Sequence, residues 1–305
     1  MVMSVPDEFV RRIIGMRASA GASWLDRLPA LVAWAADRWS LTVGPPFADL
    51  SYNYAAPAER ADGTRAVLKI GFPDQELLTE AEALRRYGGR GAVRLLEADL
   101  AQGVLLLERL EPGTPLLSVE DDENATAIAA NVLRRLWRSV PADHPFPTVA
   151  DWGVGFARMR DRFGGTTGPL PPALTDAAER QFAELLSSMA EPVLLHGDLH
   201  HGNVLAAARE PWLAIDPKGI VGEPAYDTGA WLRNWLPDLL ELPRPDRILA
   251  RRIDQFTEAL DLDRERVRAW GMAQAVLSAW WIIEDHGAGW EPAIEIARLL
   301  AQRKV

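Results

Sequence analysis

The sequence predicts an α+β chain of two lobes, a small antiparallel sheet with one helix followed by a larger, mainly helical lobe. Three observations carry that reading. Residues 41–110 hold extended apolar stretches around a single helical one, with an Asp62-Gly63 hairpin signal between two of them. "EPGTP" (111–115) then breaks the pattern more sharply than any other stretch in this half. Beyond it, apolar residues recur at helical spacing over most of the chain. The boundary therefore falls at 110/111, giving lobes 1–110 and 111–305.

In chain order, residues 7–39 read as two helices ahead of the sheet. The second is expected to start at a capping-box pattern, Ser23 and Asp26, before Trp24, Leu28, Leu31 and Ala35. "FADLSYNYAAP" and "TRAVLKIGF" supply the extended pieces up to residue 70, and 73–87 is helical, stopped by Gly88-Gly89. "AVRLLEA" (92–98) and "GVLLLERL" (103–110) are two further strands. In the second lobe helices are expected over 119–138, 151–163, 174–190, 225–236, 245–260, 264–286 and 291–302. Short extended pieces at "PVLL", "NVLA" and "WLAID" interrupt them, and "FGGTTGPLPPA" (163–173) reads as a flexible surface loop.

Composition narrows the function. With 305 residues, 48% of them hydrophobic and 25% charged, the chain has material for a real core and lacks the signature of disorder. The absence of cysteine excludes disulfides and thiolate zinc sites and fits a reducing compartment. A net charge of −10 with no compact Lys/Arg run argues against nucleic acid and suits a cationic small molecule. The longest apolar run, 275–283, is too short to span a bilayer. Asp7, Glu8, Arg11 and Arg12 stand where a secretion signal needs apolar residues, so a cytoplasmic location is expected. Lysine occurs only at 69, 218 and 304, against 33 basic residues in all. An internal lysine therefore stands out, because a compact ammonium does what a guanidinium fork does not.

Residues 194–205, "LLHGDLHHGNVL", bring three of the five histidines beside Asp198 and Asn203. Two chemistries compete for this stretch. A zinc nest needs three or four ligands and an open position. Yet no distant partner for the three histidines is evident, and His144 and His286 read as loop and surface residues. Phosphoryl transfer instead needs a carboxylate to accept the proton of the attacking hydroxyl, then an amide oxygen and a second carboxylate to hold magnesium. The order His196-Gly-Asp198-Leu-His-His-Gly-Asn203, followed by Asp216 at the end of "WLAID", follows the pattern H-R-D-L-x-x-x-N and its later metal-binding aspartate.

"HGDLHHGNVL…WLAIDPKGIVGEPAYDTG" resembles the aminoglycoside phosphotransferases, small-molecule kinases of the protein-kinase-like fold. The wording "IDPKG" and "GEPAYD" most resembles their streptomycin 6-phosphotransferase and hydroxyurea phosphotransferase branch. The likeness runs upstream through "AVLKIG", "LTEAEALRRY" and "GVLLLERLEPGTPL", covering about residues 45 to 235. It implies a first lobe that binds nucleotide and a second that carries the catalytic loop and acceptor site. It also implies ATP and Mg²⁺, and transfer to the 6-hydroxyl of streptomycin, conferring resistance. Hydroxyurea or another small metabolite is the alternative acceptor, and a catalytically silent nucleotide-binding module is the alternative of another class.

By this resemblance Asp198 is the catalytic base or the group that orients the acceptor hydroxyl, and Asn203 and Asp216 are the magnesium ligands. Lys69 looks like the lysine that grips the α- and β-phosphates. Of its possible partners Glu76, Glu80 and Glu82, Glu80 shares a helical face with Leu77 and Leu84 and is preferred. Glu108, Arg109 and Leu110 resemble the hinge whose backbone pairs with adenine. No G-x-G-x-x-G precedes Lys69, so backbone N–H groups of "DLSYNYAAP" or the Ser51 hydroxyl are expected to cover the phosphates. Lys218 keeps three readings: contact with the γ-phosphate, pairing with Glu223, or solvation. His196 is expected to pack beneath the loop and bond its backbone, Asp227 to brace the loop through N–H groups, and His200 and His201 to lie on the loop surface.

For the acceptor, most of the twelve tryptophans are expected in the core, Trp24, Trp34, Trp39, Trp137 and Trp270 among them. Trp281, Glu284 and Asp285 share one helical face, and carboxylates beside a flat ring suit the guanidinium groups of streptomycin. A solvated acidic helix end beside a core tryptophan is the competing reading. Trp231 and Asn234 are further candidates.

Overall fold

Ala66, Leu68 and Ile70 alternate with Val67 and Lys69, so a strand through them turns one face to apolar neighbours and Lys69 to the other. The computed structural model describes residues 5–234 and 238–302, and it divides into two units, Met1–Gly113 and Thr114–Val305. The first unit runs α1 (Asp7–Trp39), β1 (Leu41–Val43), β2 (Tyr54–Arg60), β3 (Arg65–Ile70), α2 (Gln75–Tyr87), β4 (Leu95–Asp99) and β5 (Val104–Glu108). Its sheet is antiparallel with order β1-β2-β3-β5-β4. The β2–β3 turn uses Gly63 at φ 84°, and the Asp62 carboxylate accepts from the Thr64 N–H at 2.9 Å.

One sheet face carries Tyr54, Ala56, Ala66, Leu68, Ile70 and Leu106, which pack with Phe9, Ile13, Trp24, Leu28 and Leu31 of α1. Trp24 donates its indole N–H to the Gly71 carbonyl at 3.2 Å and stacks on Phe72. The two helices expected over 7–39 are one span with a break at Ala18 (φ 47°, ψ −126°). Ser23 and Asp26 consequently lie inside the second segment and cap nothing, because the break precedes them by more than a turn. Helix α2 begins at Asp74, whose side chain accepts from the Leu77 N–H, and ends at Gly88 in the left-handed conformation.

Strand β6 (Pro112–Pro115) crosses the boundary. The second unit then runs α3 (Asp122–Leu136), α4 (Val149–Arg162), α5 (Pro172–Ser187), β7 (Val193–Leu195), β8 (Val204–Ala207), β9 (Trp212–Ala214), β10 (Ile220–Gly222), α6 (Pro224–Asp227), α7 (Gly229–Arg233), α8 (Pro245–Leu260), α9 (Arg264–His286) and α10 (Glu291–Ala301). Helix α9 is buried on every side from Val267 to Trp280, and α4, α5, α7, α8 and α10 pack around it. β7 pairs with β10, and β8 with β9, both antiparallel.

Three expectations change here. The helix expected over 225–236 is two short ones hinged at Thr228, and positions 235 and 236 lie outside the described residues, as does Lys304. The stretch 163–173 is pinned rather than loose. Thr167 and Leu170 are buried, the Thr167 hydroxyl donates to the Leu170 carbonyl at 2.8 Å, and α5 already begins at Pro172. The third change concerns residues of the site, below. Among the described residues no helix is long and apolar enough to cross a membrane.

Asp122 ties α3 to α8. It accepts from Arg252 Nε at 2.9 Å and Arg251 Nη2 at 2.8 Å, and Arg252 is 1% exposed. Burial by itself raises the Asp122 pKa, but the two guanidinium groups outweigh it and hold the carboxyl below its ordinary value. Stabilisation from such a group is complete above the unfolded-state pKa and lost as the pH falls through the folded one. Asp122→Ala strands the buried Arg252 charge and is expected to cost about 3–5 kcal/mol at pH 7. Urea unfolding reads this directly, and the gap to the parent should narrow below about pH 4.

Candidate active site

The loop after β7 is shaped by its backbone. Gly197 sits at φ 84°, and a Cβ there would come within 2.9 Å of Ile220 and 3.2 Å of Trp152, so only glycine fits between His196 and Asp198. The β8–β9 hairpin pairs Val204 with Ala214, which puts Asn203 and Ile215 side by side at its open end, next to Asp216. The Ile215 N–H donates to the Asn203 carbonyl at 2.9 Å, and the Lys218 N–H donates to the His196 carbonyl at 2.8 Å. Asn203 donates through Nδ2 to the Asp198 carbonyl at 3.0 Å. Asp216 lies in the left-handed region (φ 56°), which aspartate tolerates better than most residues. Positions 198, 203 and 216, scattered over nineteen residues of sequence, are thus stitched into one backbone network.

His196 is fully buried beneath the loop, its Nε2 2.9 Å from the Ile215 carbonyl and its Nδ1 accepting from the Asp198 N–H. Burial lowers its pKa, so the ring is neutral at pH 7. Asp227 accepts from the N–H groups of His196 (2.9 Å) and Gly197 (2.7 Å), and from the Trp137 indole at 3.0 Å. Burial pushes its carboxyl up, while His196 and the N–H donors pull the other way. His200, half-buried, accepts through Nδ1 from the Gly202 N–H at 3.1 Å.

His201 is not a surface residue. It is 1% exposed and stacks on Trp231 with ring centroids 3.7 Å apart. Neither of its ring nitrogens has a hydrogen-bond partner among the described residues, and burial lowers its pKa to about 3.

Asp198 is half-buried, and Arg233 Nη2 donates to its Oδ1 at 2.6 Å, while His200 Nε2 lies 4.0 Å from Oδ2. Desolvation would raise its pKa, but the Arg233 guanidinium foremost, together with the Lys218 ammonium, prevails and sets it at about 2. Asp198 is therefore anionic throughout the neutral range. Arg233 escaped the sequence reading because it is one of thirty arginines, at a spacing from the loop that no local pattern marks.

In the first unit Lys69 faces away from α1, as the alternation requires, and its Nζ lies 2.6 and 2.7 Å from the two carboxylate oxygens of Glu80 on α2. Both side chains are almost fully buried. Glu82 is occupied instead by Arg86 at 3.1 Å. Ser51 is exposed, and its carbonyl and that of Leu50 accept from Arg12. In the segment 108–110 the N–H groups of Glu108 and Arg109 are taken by the carbonyls of Arg94 and Arg65. The carbonyls of Glu108 and Arg109 and the Leu110 backbone are then the hinge groups offered to adenine in the reading by resemblance.

The acceptor candidates separate. Trp231 is fully buried, between His201 and Phe256 with the Arg252 guanidinium over its ring, so it is a core residue and does not offer a face to a ligand. Trp281 is half-buried, edge-on to Trp152 at 5.6 Å, and Trp152 in turn reaches the Gly197 backbone. Glu284 is paired with Arg158 through two bonds of 2.9 and 2.8 Å, so its charge is already balanced, and Asp285 is exposed. Asn234 donates its N–H to Ala230 at the end of α7. Glu223 is bound by Arg266, Trp270 and the Ala190 N–H, which leaves it committed elsewhere than to Lys218; Lys218 itself is half-buried.

Comparison with known proteins gives a consistent result. The chain is 37% identical to streptomycin 6-kinase of Streptomyces glaucescens over 302 residues, 96% of this chain and 95% of that protein. It is 39% identical to hydroxyurea phosphotransferase of Kitasatospora aureofaciens over 293 residues, 93% and 82% of the two chains. Among solved structures, an aminoglycoside phosphotransferase in ternary complex with ADP and hygromycin B superposes with a TM-score of 0.62 at 13% identity, covering 88% of this chain and 98% of that one. This last likeness fixes the fold as that of the kinase-like phosphotransferases. The description "Aminoglycoside/hydroxyurea antibiotic resistance kinase" matches residues 39–286, and the chain belongs to that family.

Proposed function

We propose that this chain transfers the γ-phosphoryl group of ATP to a hydroxyl of a small cationic acceptor in the cytoplasm, with the 6-hydroxyl of streptomycin as the acceptor and resistance as the consequence. The observation that carries this reading is the anionic Asp198, held on a loop whose backbone is bonded to the segments bearing Asn203 and Asp216. As the acceptor oxygen forms its bond to phosphorus and the bond to ADP breaks, the hydroxyl proton passes to Asp198. A loose transition state asks little base strength of that group, so a low pKa is compatible with the role.

Lys69, steadied by Glu80, takes the α- and β-phosphates. Asn203 and Asp216 are hard oxygen donors that fit Mg²⁺, and the bond from Asn203 Nδ2 to the Asp198 carbonyl reserves Oδ1 for a cation. A magnesium ion held by Asn203 and Asp216 would supply charge neutralisation to the phosphates. Trp281 with Trp152 supplies an aromatic wall, and Asp285, with Glu284 where it exchanges Arg158 for the acceptor, supplies acidic groups for the guanidinium groups of the acceptor.

The 37% identity to a streptomycin 6-kinase over nearly the whole chain supports the acceptor. The 39% identity to a hydroxyurea phosphotransferase favours a second reading, hydroxyurea, which carries no cation. Incubation with labelled ATP, Mg²⁺ and each compound in turn, with products identified by mass, separates them. Phosphorylated streptomycin is the expected product. Phosphorylated hydroxyurea alone would reassign the acceptor, and nucleotide binding without transfer to any of a panel of hydroxylated compounds would make the chain a silent module. Asp216→Ala should weaken Mg²⁺-dependent ATP binding by about tenfold or more, measured calorimetrically, and leave the metal-free affinity unchanged. An unaltered metal dependence would remove Asp216 from the metal site.

A further inference from the structure

The segment that follows "GEP" touches the catalytic loop at three successive points. Asp227 accepts from the backbone N–H groups of His196 and Gly197, Trp231 stacks on His201, and Arg233 donates to the Asp198 carboxylate at 2.6 Å. The first contact sets the backbone before Asp198, and the second clamps the loop after it. The third acts on the reactive side chain itself. Arg233 is held in turn, since its Nη1 lies 3.4 Å from Ser278 Oγ on the buried helix α9, and its side chain is only 13% exposed.

From this arrangement we infer that Arg233 is a positioning residue, which engages Asp198 Oδ1 and so presents Oδ2 to the acceptor hydroxyl. The inference rests on Asp198 being the group that receives that hydroxyl. A carboxylate turning about its last torsion offers its two oxygens in many directions, whereas a guanidinium anchored to α9 holds one orientation. Preset orientation of a reacting group is worth rate, and a misplacement of about 1 Å costs about 100-fold. The arginine also withdraws basicity from Asp198, which a loose transition state tolerates. Geometry is thus what the pairing contributes.

The test is a double-mutant cycle on the full chain, reading kcat and KM for ATP and for streptomycin. Arg233→Ala should lower kcat by about 100-fold with KM for ATP unchanged, and Arg233→Lys should recover part of the loss. In the Asp198→Ala background the Arg233 substitution should cost nothing further, because it acts through that carboxylate. Arg233→Gln, which keeps much of the stem, serves where Arg233→Ala does not fold. Parental kcat in the Arg233 variants beside an impaired Asp198→Ala would overturn the inference alone, as would losses that multiply in the double variant. Parental turnover in Asp198→Ala would overturn the underlying reading and this inference with it.

Discussion

Asp198→Ala is expected to lower phosphoryl transfer by about 100- to 10,000-fold while ATP binding stays near the parental affinity. The expectation follows from where the residue sits. Its carboxylate is anionic, half-buried and fixed on one oxygen by Arg233, and its own backbone carbonyl receives the Asn203 amide. On the proposed reading, removing the side chain takes away the acceptor of the proton and leaves the proposed metal donors, Asn203 and Asp216, in place. Asp198→Asn sharpens the result, because the amide keeps an oxygen for Arg233 and loses the charge. Similar losses in both variants assign the effect to the anion, and a milder loss in the asparagine variant assigns it to orientation. Single-turnover transfer with labelled ATP and calorimetric binding give the two readouts. Turnover of Asp198→Ala within about tenfold of the parent would remove this residue from the chemistry.

Lys69→Ala should damage both binding and stability. Nζ bridges both oxygens of Glu80, and the pair is almost wholly buried between β3 and α2. Deleting one member of such a pair typically costs about 3–5 kcal/mol, since the other charge loses its counterion in a poorly hydrated place. Thermal unfolding without ligand measures that loss. Charge-assisted bonds to phosphate go with it, and ATP affinity should fall by about 10- to 100-fold. Glu80→Gln separates the two effects. It keeps the lysine, removes the carboxylate charge, and should perturb binding less than Lys69→Ala does. Equal ATP affinity in Lys69→Ala and the parent would exclude the lysine from the phosphate site.

Local features of the chain were readable because their causes are local. The Asp62-Gly63 turn, the alternation that turns Lys69 away from Ala66, Leu68 and Ile70, and the Gly88 helix stop all act within a few residues. The choice of Glu80 over Glu82 needed only helical spacing. Where the reading failed, the deciding partner was distant in sequence. Trp231 looked like a ligand-facing ring, but His201, thirty residues earlier, and Arg252 enclose it. Arg158 of α4 pairs with Glu284, a partner that spacing along α9 does not indicate. Ser23 and Asp26 are a local exception, since they carried a capping pattern yet the helix broke at Ala18, five residues before Ser23.

By itself the sequence determined the two-part α+β organisation, the strand-and-turn pattern that exposes Lys69 to α2, and the order Asp198, Asn203, Asp216. Periodicity, turn chemistry and motif order are properties of neighbouring residues. The tertiary structure decided which groups surround those positions: Arg233 on Asp198, Asp227 on the N–H groups of His196 and Gly197, and Glu223 on Arg266 rather than Lys218. Each of these joins residues that meet only after the helices pack around α9. Such pairings depend on direction and distance in space, which spacing along a chain does not encode.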